Sequence, residues 1–299
     1  MFEDVKVITV ATHNEGYFSA LKGGCEKKNV ELIILGWGEK WKGFAWKYSL
    51  VVDFLKKEQL DNNNQRKFLY VFVDGFDVLP IFESKYNIIK SFLNVTNNNV
   101  DSALFGINVP PKTIVEKFQS WGNNLIFGKC MNLSLNSGVY AGSLNTLYNF
   151  LEKIFAQSSF SNKDDDQKLL MNLCNKDTSW FSKFSSVDIH SAFVVNATCA
   201  LTNSMVKNIT VSNLRKDNVV FMHGAGNCDM DFLCDDLGLD KSSQLKRKTS
   251  MQRLFSFDGY ARHLVLNPQF ILFLFLLIFL TVIIGSFIFK TGRRNNIKI

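Results

Sequence analysis

A chain of 299 residues exceeds one average domain without requiring two, and 46% apolar with 20% charged residues excludes a disordered or collagen-like chain. The formal charge of +7 raises nucleic acid as a partner. Much of that excess, however, flanks an apolar run at 246–262 and 290–298, where basic residues suit membrane lipid, so no nucleic acid is expected.

The run 5–12, VKVITVAT, is β-branched and ends in polar residues, as a buried parallel strand does. Tyr17, Phe18 and Leu21 begin a helix pattern. A second strand is expected over 30–35, then a loop at 36–43, an amphipathic helix over 47–57 and a third strand over 68–73. A helix near 88–93 precedes a strand over 102–107, which follows the Asn-rich turn 97–99. The segment 136–142 leads into a helix through Phe155, an apolar helix follows over 169–173, and a last strand spans 219–222. Strands alternating with helices predict an α/β fold with a mainly parallel sheet covered on both faces.

The stretch 270–289 carries no charge, follows Pro268 and is closed by Lys290, Arg293 and Arg294. Twenty helical residues span a hydrocarbon core of about 30 Å, so a transmembrane helix is expected over 268–290. The N-terminus shows no secretory signal pattern. The expected product is a single-pass membrane protein with a C-terminal anchor, its main domain on the cytoplasmic side, with a lumenal placement as the alternative. The domain would occupy 1–230, a stalk 231–267 and a basic tail 291–299. Six cysteines without a CxxC pair fit a reducing compartment. Four N-x-[ST] sequons, at Asn94, Asn132, Asn196 and Asn208, are near chance for so Asn-rich a chain.

Asp74 and Asp77 follow an apolar strand, where ligands bind in open α/β sheets. Carboxylates spaced i and i+3 across a turn can converge on a hard cation, although turn and capping chemistry alone explains many such pairs. His223 occupies another strand end, and Gly224 and Gly226 permit a close backbone approach. Taken singly, His223 reads as a structural or surface histidine; joined to the two carboxylates, its imidazole would complete an Asp/Asp/His set of mixed oxygen and nitrogen character suited to Mn²⁺, with Mg²⁺ as the alternative. Asp164, Asp165 and Asp166 precede the helix at 169–173. They read either as favourable charges at a helix start or as carboxylates facing a sugar or acceptor.

Six segments in this order and spacing resemble the glycosyltransferase domain of procollagen lysyl hydroxylases and procollagen galactosyltransferase-like enzymes. They are Val7-Ile8-Thr9-Val10-Ala11-Thr12, Leu35-Gly36-x-Gly38-Glu39-x-Trp41-x-Gly43, Phe72-Val73-Asp74-x-x-Asp77-Val78, Leu135-Asn136-Ser137-Gly138, Asp164-Asp165-Asp166-Gln167 and His223-Gly224-x-Gly226. The resemblance covers about 5–227. It implies a GT-A-type, Rossmann-like fold that binds a UDP-sugar, with Asp74, Asp77 and His223 as Mn²⁺ ligands. It also implies that Thr9 contacts the nucleotide, Lys47 lies near the donor diphosphate, Asn136 and Ser137 sit beside the donor, Gly224 and Gly226 belong to the donor site, and Asp165 and Asp166 act at the sugar and acceptor. The implied reaction moves glucose or galactose from UDP-glucose or UDP-galactose to a hydroxyl of a protein or glycan.

Ala225 stands where the family has Asn, Asn227 where it has Pro, and Asn108-Val109-Pro110 lacks the family's aromatic residue before proline. These departures support an alternative, a catalytically inactive GT-A-like nucleotide-sugar-binding or scaffold protein at a membrane. A metal-dependent nucleotidyl or phosphoryl transferase ranks last, because no P-loop accompanies the carboxylates.

Overall fold

The computed structural model describes residues 1–61, 67–156, 161–162, 164–199, 202–226, 228–241 and 268–295, with side chains described except at 61 and 285–295. A six-stranded sheet forms its centre, in the order β2 (Glu31–Leu35), β1 (Asp4–Val10), β3 (Phe68–Asp74), β6 (Leu135–Ser143), β5 (Ala103–Ile107), β7 (Ser185–Asp188). The pairs β1–β2, β1–β3 and β5–β7 are parallel, whereas β6 runs antiparallel to β3 and β5. The sheet is therefore mostly parallel, as the alternating pattern predicts, with one reversed strand beside the strand that carries Asp74.

Side-chain alternation assigns the two faces. Ile8, Val10, Tyr70, Phe72, Phe105 and Tyr140 point to one core, shared with α2 (Trp46–Asp61), α5 (Leu144–Phe155), α6 (Asp166–Lys176) and α7 (Thr178–Phe184). Val5, Val7, Leu69, Val71, Val73 and Val139 point to the other, shared with α1 (Phe18–Lys27) and α3 (Lys85–Val95). Burial on both faces explains the near-continuous apolar runs of β1 and β3.

A second sheet orders β4 (Val78–Pro80), β9 (Phe221–Ala225) and β8 (Val194–Thr198). Beneath it a third core collects Tyr17, Ala20, Leu79, Met222, Val211, Leu214, Leu233 and Cys234 from α1, β4, β9, α8 (Val211–Lys216) and α9 (Asp231–Leu237). The short β4, β7 and β8 and the helix α4 (Ile114–Phe127) are additions to the sequence reading. β6 is a fully formed strand over the segment that the sequence reading places only as the lead into a helix.

Three expectations change. The membrane span is corrected: among the described residues no helix is long and apolar enough to cross a membrane. The last helix is α10 (Pro268–Asn295). Its first two turns pack Phe270 and Phe273 against Trp121 of α4, with ring centroids 6.1 and 4.9 Å apart. The finding removes the basis for a single-pass membrane protein.

The reducing compartment inferred from cysteine spacing also loses its support. Cys130 pairs with Cys174 and Cys199 with Cys228, across 44 and 29 residues of sequence, and such bonds persist where conditions are oxidising. Spacing failed here because the partners meet only in three dimensions. Cys25 and Cys234 remain free and buried, and burial pushes each thiol up to about 12. Finally, 231–237, expected to start a stalk, is the helix α9, with Leu233 and Cys234 buried in the third core. The rest of the expected stalk beyond 241, together with Asn227, lies outside the described residues.

Candidate functional site

Asp74 ends β3, and Asp77 stands three residues on, directly before β4. The second sheet delivers the histidine: β4 pairs with β9 in the register Val78↔His223, and the Gly224 N–H donates to the Asp77 carbonyl at 2.8 Å. His223 Nε2 thereby lies 3.5 Å from Asp77 Oδ2 and 3.9 Å from Asp74 Oδ2. Each of the three offers one ligand atom, and these atoms lie within 4.8 Å of one another. Glycine is needed at position 138 of β6, since a Cβ there would come 2.2 Å from His223 Cε1.

A second group faces this one. The N-terminus of α2 is tied to the acidic loop by Ala45 N–H to the Asp164 carbonyl (3.0 Å) and Trp46 N–H to the Asn162 carbonyl (3.2 Å). Those bonds bring Lys47 between two carboxylates, its Nζ 2.5 Å from Asp74 Oδ1 and 3.0 Å from Asp166 Oδ2. Lys47 thus forms an ion pair with each of the two carboxylates. Tyr48 donates to the Asp166 carbonyl at 3.2 Å, and the Cys130–Cys174 bond anchors α6 to the start of β6.

The electrostatics follow from burying these charges together. Burial raises the Asp74 carboxyl to about 6 against the pull of Lys47. Burial also acts upward on Asp77, but His223 outweighs it and holds that carboxyl below its usual value. Burial lowers His223, yet Asp77 and Asp74 outweigh it and the net shift is upward. Lys47 is likewise pushed down by burial and raised further by Asp166 and Asp74, so it stays charged. Of four buried polar atoms without a hydrogen-bond partner among the described residues, His223 Nε2 and Asp166 Oδ2 belong to this cluster. A third, the Tyr140 hydroxyl, feels the charges of Asp166 and Asp74.

Such orphaned atoms are costly unless something completes them. An imidazole nitrogen and two carboxylate oxygens converging on one point suit a divalent cation of the Mn²⁺ or Mg²⁺ kind, so the residues fit the expected metal. Beside them opens a cleft of about 370 Å³, lined by Val10, Thr12, Lys47, Asp74, Asp77 and an aromatic wall of Trp41, Phe44 and Phe76. A larger hollow of about 530 Å³, around Met1, Lys67 and Asp101, lies at the opposite ends of β1 and β3, away from the charged cluster.

Lys47, Asp74, Asp77, Asp166 and His223 are thus brought together. The other expected site residues are placed around them. Thr9 is fully buried, donates to the Val73 carbonyl at 2.8 Å and does not line the cleft; Thr12 and His13, three and four residues on, do. Asp165 is the N-cap of α6, accepting from the Lys168 N–H at 2.8 Å, and burial raises its carboxyl to about 6. Asn136 is turned inward, accepting from the Gly138 N–H (2.8 Å) and donating to Asn108 Oδ1 (2.9 Å), and Ser137 is buried beside it. Gly224 contributes the backbone bond to Asp77, and Gly226 is exposed with φ +75°. The sequence reading did not single out Trp41, Phe44 and Phe76 as cleft residues, nor Asn196, whose Oδ1 lies 2.9 Å from His223 Nδ1. The aromatic-rich loop beside a strand end was the available signal for the wall.

Comparison with known proteins matches residues 2–232 to the family described as the PLOD GT domain. Among curated proteins, the chain is 28% identical over 235 residues to the multifunctional procollagen lysine hydroxylase and glycosyltransferase LH3 of Homo sapiens and, equally, of Pongo abelii. The alignment covers 75% of this chain and 30% of those relatives, so the chain spans about a third of their length. Among solved structures, a glycosyltransferase involved in glycosylation of the major capsid of PBCV-1 aligns with TM-score 0.40 and 10% identity, over 74% of this chain and 93% of that one. That likeness is too loose to bear on function. The family match is not: this chain belongs to the PLOD GT domain family.

Proposed function

We propose that this PLOD GT domain is a metal-dependent glycosyltransferase of GT-A type that moves a hexose, glucose or galactose, from a UDP-sugar to a hydroxyl of a protein or glycan acceptor. The observation that carries the reading is the convergence of Asp74, Asp77 and the orphaned His223 Nε2 beside a cleft walled by aromatic rings. Asp74, Asp77 and His223 would hold a divalent cation, which would supply positive charge against the charge developing on a departing diphosphate. Lys47, charged and already seated among the carboxylates, adds a second fixed positive group on the same side. Trp41, Phe44 and Phe76 offer flat apolar faces to a base or sugar ring and keep water from that side of the cleft. In this reading Asp166, one ammonium away from the cation ligands, orients a sugar or acceptor hydroxyl, and Asp165 caps the start of the helix that carries it.

One observation favours a second reading, a nucleotide-sugar-binding protein without turnover. Asn108, in the Asn108-Val109-Pro110 segment that has no counterpart of the family's aromatic residue before proline, is bonded to Asn136 and Ser134 and offers no ring to the cleft. The test is UDP-sugar turnover by the full chain with Mn²⁺ across donors and hydroxyl acceptors. Transfer or hydrolysis abolished by chelation supports the transferase. Mn²⁺-dependent UDP binding without any turnover supports the second reading, and absence of both contradicts each.

A further inference from the structure

The side of His223 away from the carboxylates is as closely built as the side that faces them. Nδ1 lies 2.9 Å from Asn196 Oδ1, with Asn196 fully buried and His223 3% exposed. The amide cannot be reversed without loss, because its nitrogen donates to the Ile107 carbonyl at 3.2 Å, and turning it would set oxygen against oxygen. Its place is fixed by the β8–β9 register, which pairs Asn196 with His223, and by its own carbonyl, which accepts from the Val109 N–H at 2.9 Å. Space for the amide is reserved by Gly106, where a Cβ would come 2.3 Å from Asn196 Nδ2. An acceptor facing Nδ1 requires that this nitrogen carry the proton, which leaves the lone pair of a neutral ring on Nε2. Nε2 is the atom that faces Asp74 and Asp77 without a hydrogen-bond partner.

We propose that Asn196 is a positioning residue that fixes the neutral imidazole of His223 in its Nδ1–H form, so that Nε2 presents its lone pair to a divalent cation between Asp74 and Asp77. The proposal deepens the metal reading above and rests on it. Hydrogen bonding at the second ring nitrogen is the general means by which a histidine ligand is oriented, and losing it costs roughly 10–100-fold in metal affinity. The same burial means that the Asn196-Ala197-Thr198 sequon serves the interior of the fold and has no room for a glycan.

The test uses the full chain labelled with ¹⁵N-histidine, metal-free, at a pH above the raised pKa of His223. Long-range ¹⁵N–¹H correlation distinguishes the two neutral tautomers, and with four histidines in the chain His223→Gln identifies the resonance. The native chain is expected to show Nδ1–H. Asn196→Leu is expected to lose that form and to bind Mn²⁺ about 10–100-fold more weakly by calorimetry. Asn196→Asp keeps an acceptor and is expected to keep the tautomer, and it serves with the native spectrum if Asn196→Leu does not fold. An Nε2–H form in the native chain, or a folded Asn196→Leu with native tautomer and native Mn²⁺ affinity, overturns the proposal. A native chain with the Nδ1–H form that binds no Mn²⁺ upholds the tautomer lock and overturns the metal reading, whereas Mn²⁺ binding with the Nε2–H form does the reverse.

Discussion

Asp74 ends a strand of the first sheet, His223 lies in a strand of the second and Asp77 stands directly before β4, whereas Lys47, Asp165 and Asp166 stand at the starts of two helices. Strand register fixes the first group through backbone pairs on either side of it, Val78↔His223 and Asn196↔His223. The second depends on two loop-to-helix bonds at Ala45 and Trp46, a helix cap and one disulfide. The contrast suggests a division of labour: a rigid cradle suits a cation, whose ligands must hold their distances, and helix starts suit groups that meet a larger and more varied substrate. Asp74 belongs to both groups, because one carboxylate oxygen faces Lys47 and the other faces His223.

The sharpest way to break the comparison is therefore Asp74→Ala. It removes a cation ligand and a lysine partner together, and is expected to lower Mn²⁺ affinity by more than about 100-fold and abolish transfer while the disulfide-bonded fold remains. Calorimetry and circular dichroism read the two effects. Lys47→Met separates the groups, leaving Asp74 and Asp166 without their shared cation. Metal-free stability is expected to fall by about 3 kcal/mol in denaturant melts, and Mn²⁺ is expected to restore part of it because a cation returns to Asp74. Gly138→Ala acts on the strand-held group alone, since its Cβ meets the His223 ring, and should weaken Mn²⁺ binding by about 10-fold with little change around Lys47.

The smallest effect is a pH dependence. With its carboxyl raised to about 6, Asp74 must shed a proton to bind a cation, as must His223, whose pKa is also raised. Mn²⁺ affinity is expected to fall by at least about tenfold per unit below about pH 6. For the metal-free protein the signs differ: the His223 contribution to stability is present at low pH and lost as pH rises through its raised pKa. That of Asp77, whose pKa is lowered, is present at neutral pH and lost in acid.

Much of the strand-held group was legible in sequence because Asp74 and Asp77 follow an apolar run that could only be a buried strand. Joining His223 to them needed the resemblance, since no local pattern states that β9 pairs with β4. β6 was hidden by composition: Asn136, Ser137 and Gly138 have turn chemistry, yet Gly138 is required in the strand because the His223 ring occupies the space a Cβ would take. The helix α4 left a readable signal in the Thr113–Glu116 capping box. Asn196 could not have been found, because its meaning lies in a register with His223 and a carbonyl contributed by Ile107. The apolar run near the C-terminus misled in the opposite direction: among the described residues no helix is long and apolar enough to cross a membrane, and Phe270 and Phe273 pack instead on Trp121.

The central claim is that the strand-held residues bind the cation on which nucleotide binding depends, and the most direct measurement is calorimetric titration of UDP into the native chain and Asp77→Ala, with and without Mn²⁺. The native chain is expected to bind UDP only with Mn²⁺ present, and Asp77→Ala to lose that binding while remaining folded. UDP binding that ignores Mn²⁺, or that survives Asp77→Ala unchanged, would contradict it.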